Sequence, residues 1–165
     1  MPDINDSLVY IKANDLIGIA KEIFEQGGCT WITVTGNSMY PFLRGGRDSV
    51  ELSKTDFASI KKGDIVLIRR VTGEYVLHRV LKKEPDCFYM IGDAQQWIEG
   101  PLTPAQLQAV VIQIKRKGHI IRCDNLLLRF FVFLWRLLIP VRTRIFKIKS
   151  RIGRLVKHNT KQKAK

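Results

Sequence analysis

Two residues of this chain have the types and surroundings that nucleophilic chemistry needs, Ser38 and His78. Ser38 lies in "TGNSMYPF", residues 35–42, after the apolar run "TWITV" and before the strand-like "SVEL". A serine in a turn is ordinarily a cap or a solvated filler. It becomes a nucleophile only beside a base, and the sequence offers three histidines. His119 reads as a turn residue and His158 as part of a basic end. His78 sits in "GEYVLHRVLKK", where a period of two puts Val76, His78 and Val80 on one face and Tyr75, Leu77, Arg79 and Leu81 on the other. A histidine among valines is more often structural. Yet a neutral imidazole beside a turn serine is what hydroxyl activation requires, because it takes the proton as the oxygen attacks a carbonyl. Arg69, Arg70 and Arg79 stay protonated and cannot serve as the base. Lys82 and Lys83 lie beyond the strand and read as solvated.

The turn itself suits the rest of the reaction. Gly36-Asn37-Ser38 can aim consecutive backbone N–H groups at the oxyanion of a tetrahedral intermediate. Gly36 has no side chain to obstruct a substrate backbone, and Pro41 stiffens the exit. Met39 reads as an apolar anchor that points back and fixes the turn. Gly36, Asn37, Met39 and Val76 are the expected substrate-binding positions. No cofactor and no metal are expected. The three cysteines (Cys29, Cys87, Cys123) are far apart without a CxxC, so neither a disulfide framework nor a zinc site is read from them.

The elements that must position these residues are mostly strands. Residues 15–26, "DLIGIAKEIFEQ", put Leu16, Ala20, Ile23 and Phe24 on one helical face, and Gly27-Gly28 stops that helix. Short strands are expected at 30–35, 49–53, 64–69, 74–81, 87–91 and 109–116, with 119–122 following. Many short strands without alternating long helices predict a mainly β, curled antiparallel or mixed fold. The expected organisation is an N-terminal helical segment over 1–29, a β-rich catalytic domain over 30–122, and an apolar then basic helical tail over 123–165.

Charge separates the tail from the body. Residues 1–114 carry 12 Lys/Arg against 14 Asp/Glu, whereas residues 115–165 carry 16 Lys/Arg against Asp124 alone. The excess of +13 therefore sits in the tail, which favours an anionic partner. "LLLRFFVFLWRLLI", residues 126–139, is intensely apolar around Arg129 and Arg136 and ends at Pro140. Fourteen helical residues reach about 21 Å, short of a bilayer's hydrocarbon core of about 30 Å. The expectation is a helix lying in an anionic membrane surface through residues 126–155, with the protein membrane-associated on the cytoplasmic side. Its rival is a helix folded onto the β domain. Nucleic acid is not expected, since a nucleic-acid arm needs arginines but not "FFVFLW". The opening "MPDINDSLVY" does not read as a signal peptide.

In order along the chain, "TGNSMYPFL", "GRDSVEL", "KKGDIVLIRR", "VLHRV" and "IGDA" resemble the signal peptidase and LexA-type superfamily of serine endopeptidases. The resemblance covers residues 30–116. Its serine box, SM-x-P, is matched by Ser38-Met39-Tyr40-Pro41. Where leader peptidases and LexA-type proteins carry a lysine base, the endoplasmic-reticulum type and its relatives carry a histidine in HR-[VI]. The match here is His78-Arg79-Val80, which implies the Ser–His branch and a fold of the signal peptidase type. The later acidic box is matched by Gly92-Asp93-Ala94, making Asp93 the first candidate to orient His78 and Glu99 the reserve. The resemblance implies an endopeptidase acting on a leader- or signal-type peptide bound as an extended strand. Two alternatives stand beside it: a catalytically inactive β-rich module docking to membrane or protein, and a LexA-like regulator that cleaves its own chain. The sequence sets no oligomeric state.

Overall fold

A computed structural model of the chain describes residue 20 and residues 22–138. The start of the expected N-terminal helix and the basic part of the tail, beyond residue 138, lie outside the described residues. Ala20 and Glu22–Glu25 are helical, and Ala20 and Phe24 are buried. Gly27 ends that helix at φ 75°, with Gly28 N–H donating to the Ile23 carbonyl and Gly27 N–H to that of Phe24. This is the paired C-terminal cap that a glycine with positive φ makes.

Among the described residues eight strands follow: β1 (Cys29–Thr33), β2 (Asp48–Ser53), β3 (Ile65–Arg69), β4 (Tyr75–Lys83), β5 (Phe88–Ile91), β6 (Glu99–Leu102), β7 (Leu107–Arg116) and β8 (His119–Arg122). They form one antiparallel sheet in the order β1-β2-β7-β3-β4-β5-β6, with β8 paired to β7. Bulges interrupt the β2–β7, β3–β7, β4–β5 and β5–β6 pairings. Each one adds local twist, which helps the sheet curl.

The fold is mainly β, with short helices at either end, as the sequence predicts. β2 shows the expected alternation, burying Asp48, Val50 and Leu52 while Ser49, Glu51 and Ser53 face outward. β3 is different, because Ile65, Val66, Leu67 and Ile68 are all buried. Ile65 and Leu67 join one core with Met39, Leu43, Val50, Leu52, Ala109, Val111 and Ile114. Val66 and Ile68 join a second core with Ile60, Val80, Phe88, Met90 and Leu102. On β4 the period of two holds: Tyr75 and Leu77 pack on the first core, Val76 and Val80 on the second.

The sequence reading contains no counterpart of β6. Its residues, "EGPL", include a glycine and a proline, which sequence reasoning takes as a turn; Pro101 is tolerated because β6 ends the sheet beside β5.

The C-terminal helix, Leu126–Leu137, begins at Asn125, whose side-chain oxygen accepts from the Leu128 N–H. Its 12 residues span about 18 Å. Among the described residues, no helix is long and apolar enough to cross a membrane. The membrane association on the cytoplasmic side that the sequence suggested is corrected for the described part of the tail by the way this helix is held against the β domain. Protein supplies cover for one face of the helix instead: Val132 is buried, Leu128 packs on the first core, and the Trp135 indole N–H donates to the Asp93 carbonyl at 2.9 Å. The helix is apolar nearly all round, so periodicity alone could not tell cover by protein from cover by lipid.

Candidate active site

Ser38 belongs to a loop pinched shut at its base. Val34 N–H donates to the Asp48 carbonyl at 2.9 Å and Gly46 N–H to the Val34 carbonyl at 2.8 Å. Within the loop Tyr40 N–H donates to the Asn37 carbonyl, Leu43 N–H to that of Met39, and Gly45 N–H to the Asn37 side-chain oxygen at 3.2 Å. Met39 and Leu43 drop into the first core and fix the turn from below.

Asp48 holds the loop from inside. Its fully buried carboxylate accepts from the Arg44 N–H (3.0 Å), Arg47 Nε (2.7 Å) and Arg116 Nη2 (3.0 Å), and Arg116 also bonds the Phe42 carbonyl. Burial works against the charge, but the hydrogen bonds from Arg47 and Arg116 prevail and bring the carboxyl down to about 2. The sequence reading contains Asp48 only as part of the box "GRDSVEL". An aspartate at the head of an alternating strand was the available signal.

The loop is tied to the β5–β6 connection. The Ser38 carbonyl accepts from the Ala94 N–H at 2.8 Å. Gly92 makes room for this approach, since a Cβ there would lie 2.7 Å from the Ser38 oxygen. Ser38 itself is half-buried, while Gly36 and Asn37 are exposed.

His78 lies on β4 opposite Val66 and is 1% exposed. Its Nδ1 is 3.3 Å from Glu99 Oε2, within ion-pair range but without the alignment of a hydrogen bond. Glu99 is held on its other side by Arg70, with Nη2 2.8 Å from Oε2. That guanidinium keeps Glu99 ionised, below the usual carboxylate range. Burial pushes the His78 pKa down from its ordinary value, and the opposing pull of Glu99 does not restore it. The ring is therefore neutral at pH 7, the form a general base needs.

The carboxylate facing His78 is thus that of Glu99. Asp93, the sequence's first candidate, is corrected: its buried carboxylate is gripped by Arg79, through Nε at 3.0 Å and Nη2 at 2.7 Å. Arg79 follows His78 in sequence and so leaves the opposite face of β4; the Asp93 carboxylate turns to Arg79, and only its charge acts on the imidazole. The third nitrogen of Arg79 bonds the Gly63 carbonyl at 2.7 Å. Met39 is 2% exposed, so its assignment to substrate contact is corrected in favour of anchoring. Val76 is half-buried on the second core.

Clefts of about 210 and 460 Å³ lie beneath the C-terminal helix, and neither is lined by Ser38 or His78. His78 lies at a strand edge. β5 pairs with β4 only from Arg79 onward, so among the described residues Tyr75–His78 are paired on one side, by β3. β1 ends the sheet and, among the described residues, pairs with β2 alone. Ile32 and Val34 share the first core with Tyr75 and Leu77.

A family model described as Peptidase S24-like matches residues 6–112, well over half of the chain. No curated protein matches it.

Proposed function

From the premise that the chain belongs to the Peptidase S24-like family, a family of peptidases, we propose that it is a serine endopeptidase with Ser38 as nucleophile and His78 as general base. The observation that carries this reading is the buried, neutral imidazole of His78 facing a carboxylate that Arg70 keeps charged. An apolar strand face has no structural need for such a pair.

Glu99 stands at Nδ1 and favours the tautomer with its proton there, which leaves Nε2 to take the proton from Ser38 Oγ. The alkoxide attacks the scissile carbonyl, and N–H groups of the exposed Gly36–Ser38 turn receive the oxyanion. The imidazolium then returns its proton to the leaving amine, and water repeats the sequence on the acyl-enzyme. Glu99 steadies the transient positive charge. The substrate is an extended segment of a leader- or signal-type peptide. It lies along the edges of β1 and Tyr75–His78 that carry no strand among the described residues, where main-chain bonds supply affinity.

The test is cleavage of a proteome-derived peptide library, read by mass spectrometry, alongside the protein incubated alone to register cutting of its own chain. Wild type cuts, while Ser38→Ala and His78→Ala lose about 10⁴-fold or more in rate. Cutting by Ser38→Ala at the wild-type rate would sink the assignment.

A further inference from the structure

We infer that Trp135, on the C-terminal helix, is a positioning residue for Ser38 and that this helix is a working part of the peptidase site. The inference rests on the reading of Ser38 as nucleophile. It concerns a residue beyond the matched family region, which ends at residue 112.

Four residues close a ring. Trp135 Nε1 donates to the Asp93 carbonyl at 2.9 Å. The Asp93 carboxylate takes two nitrogens of Arg79. The Arg79 guanidinium lies over the Phe42 ring, 5.4 Å from its centroid. Phe42 returns to Trp135 in an edge contact, centroids 6.3 Å apart at 77°. The ring touches the serine loop twice, because Phe42 is a loop residue and Asp93 immediately precedes Ala94, whose N–H bonds the Ser38 carbonyl.

Each link has a physical direction. The indole N–H fixes the Asp93 peptide, hence the plane in which the next N–H, that of Ala94, points. The indole edge against Phe42 limits how far the far side of the loop can swing. Arg79 and Asp93 are 5% and 1% exposed, so water does not substitute for a lost partner at low cost. Ser38 is thereby held from both sides of its turn by contacts that meet at one indole. A nucleophile displaced by even an ångström loses rate without losing substrate affinity.

The experiment uses the full chain with Trp135→Phe, which keeps an aromatic ring but removes the donor, and Trp135→Ala. Leu127→Ser, on the exposed side of the same helix, serves as control. Two readouts are taken: kcat and KM for a peptide that wild type cuts, and hydrogen exchange at the Ala94 amide. For Trp135→Phe the expected result is a kcat lower by about tenfold with KM changed less than twofold, and Ala94 exchange faster by a similar factor. Trp135→Ala shows a larger loss on both, and Leu127→Ser matches wild type. Unchanged Ala94 exchange in Trp135→Phe would overturn the inference, as would an unchanged kcat or a loss confined to KM. The exchange arm needs no turnover. A wild type that cuts nothing therefore defeats the peptidase reading, while Ala94 exchange still decides whether the indole positions the serine turn.

Discussion

Asp48 and Arg116, 68 positions apart in the sequence, meet at 3.0 Å and shut the serine loop from within, since Arg116 also bonds the Phe42 carbonyl. The loop's shape thus depends on a charged contact between β2 and the end of β7.

That contact predicts an acid-sensitive step in stability. The Asp48 carboxyl falls from 3.8 to about 2 on folding. Its contribution is fully present above the unfolded value and is lost as pH falls through the folded one. The difference amounts to roughly 2 kcal/mol. Urea unfolding measured between pH 5 and pH 2 should show this loss, and Asp48→Asn should remove that part of the slope while lowering stability at pH 7 by about 2 kcal/mol.

The Glu99–His78 contact predicts the acid limb of activity. Burial lowers the His78 pKa, so kcat/KM should fall with a midpoint below the ordinary 6.5 of histidine. Glu99 raises that value, hence Glu99→Gln should move the limb to lower pH and reduce the plateau by about ten- to a hundredfold. Cleavage rates across pH 4–8 check both; a limb that moves upward in the variant contradicts the geometry.

Two glycines of the site should behave oppositely on substitution. A Cβ at Gly92 meets the Ser38 carbonyl at 2.7 Å, whereas one at Gly36 meets nothing within 4 Å. Gly92→Ala should cost about 1–3 kcal/mol of stability and most of the activity. Gly36→Ala should leave stability within about 0.5 kcal/mol and raise KM, because the new methyl stands where the substrate backbone passes. Thermal unfolding with peptide kinetics separates the two.

Thiol labelling should report the docking of the C-terminal helix. Cys29 is exposed, whereas burial beneath that helix pushes the Cys123 thiol up to about 11. Maleimide at pH 7 should modify Cys29 in the native protein and leave Cys123 intact. Trp135→Ala should speed modification of Cys123, read by mass spectrometry of its peptide.

Most strands were legible because their alternation and turn residues agree with their final burial, as at β2 and β4. β6 was not, since Gly100 and Pro101 give the local signal of a turn while β5 supplies the pairing that makes "EGPL" an edge strand. The anchoring role of Met39 was readable from its place in the turn, whereas Ser38 and His78 were readable only as candidates by residue type and pattern. Ranking Asp93 above Glu99 went astray for a tertiary reason: which carboxylate a histidine faces is settled by what the competing cations take, and here Arg79 takes Asp93 while Arg70 delivers Glu99. The apolar tail was legible as a helix but carried no mark of the surface that would cover it.

β3 is buried on both faces, one contributing to the core under the serine loop and the other to the core beside the histidine strand. The chain therefore has one party wall where many sheets have an inside and an outside. Each side chain serves one compartment, Leu67 the first and Val66 the second, but they share one backbone, so a change that shifts the strand alters the spacing between the two halves of the site. Sequence drift among proteins of this design should accordingly be slowest along this strand, at residues that never touch a substrate.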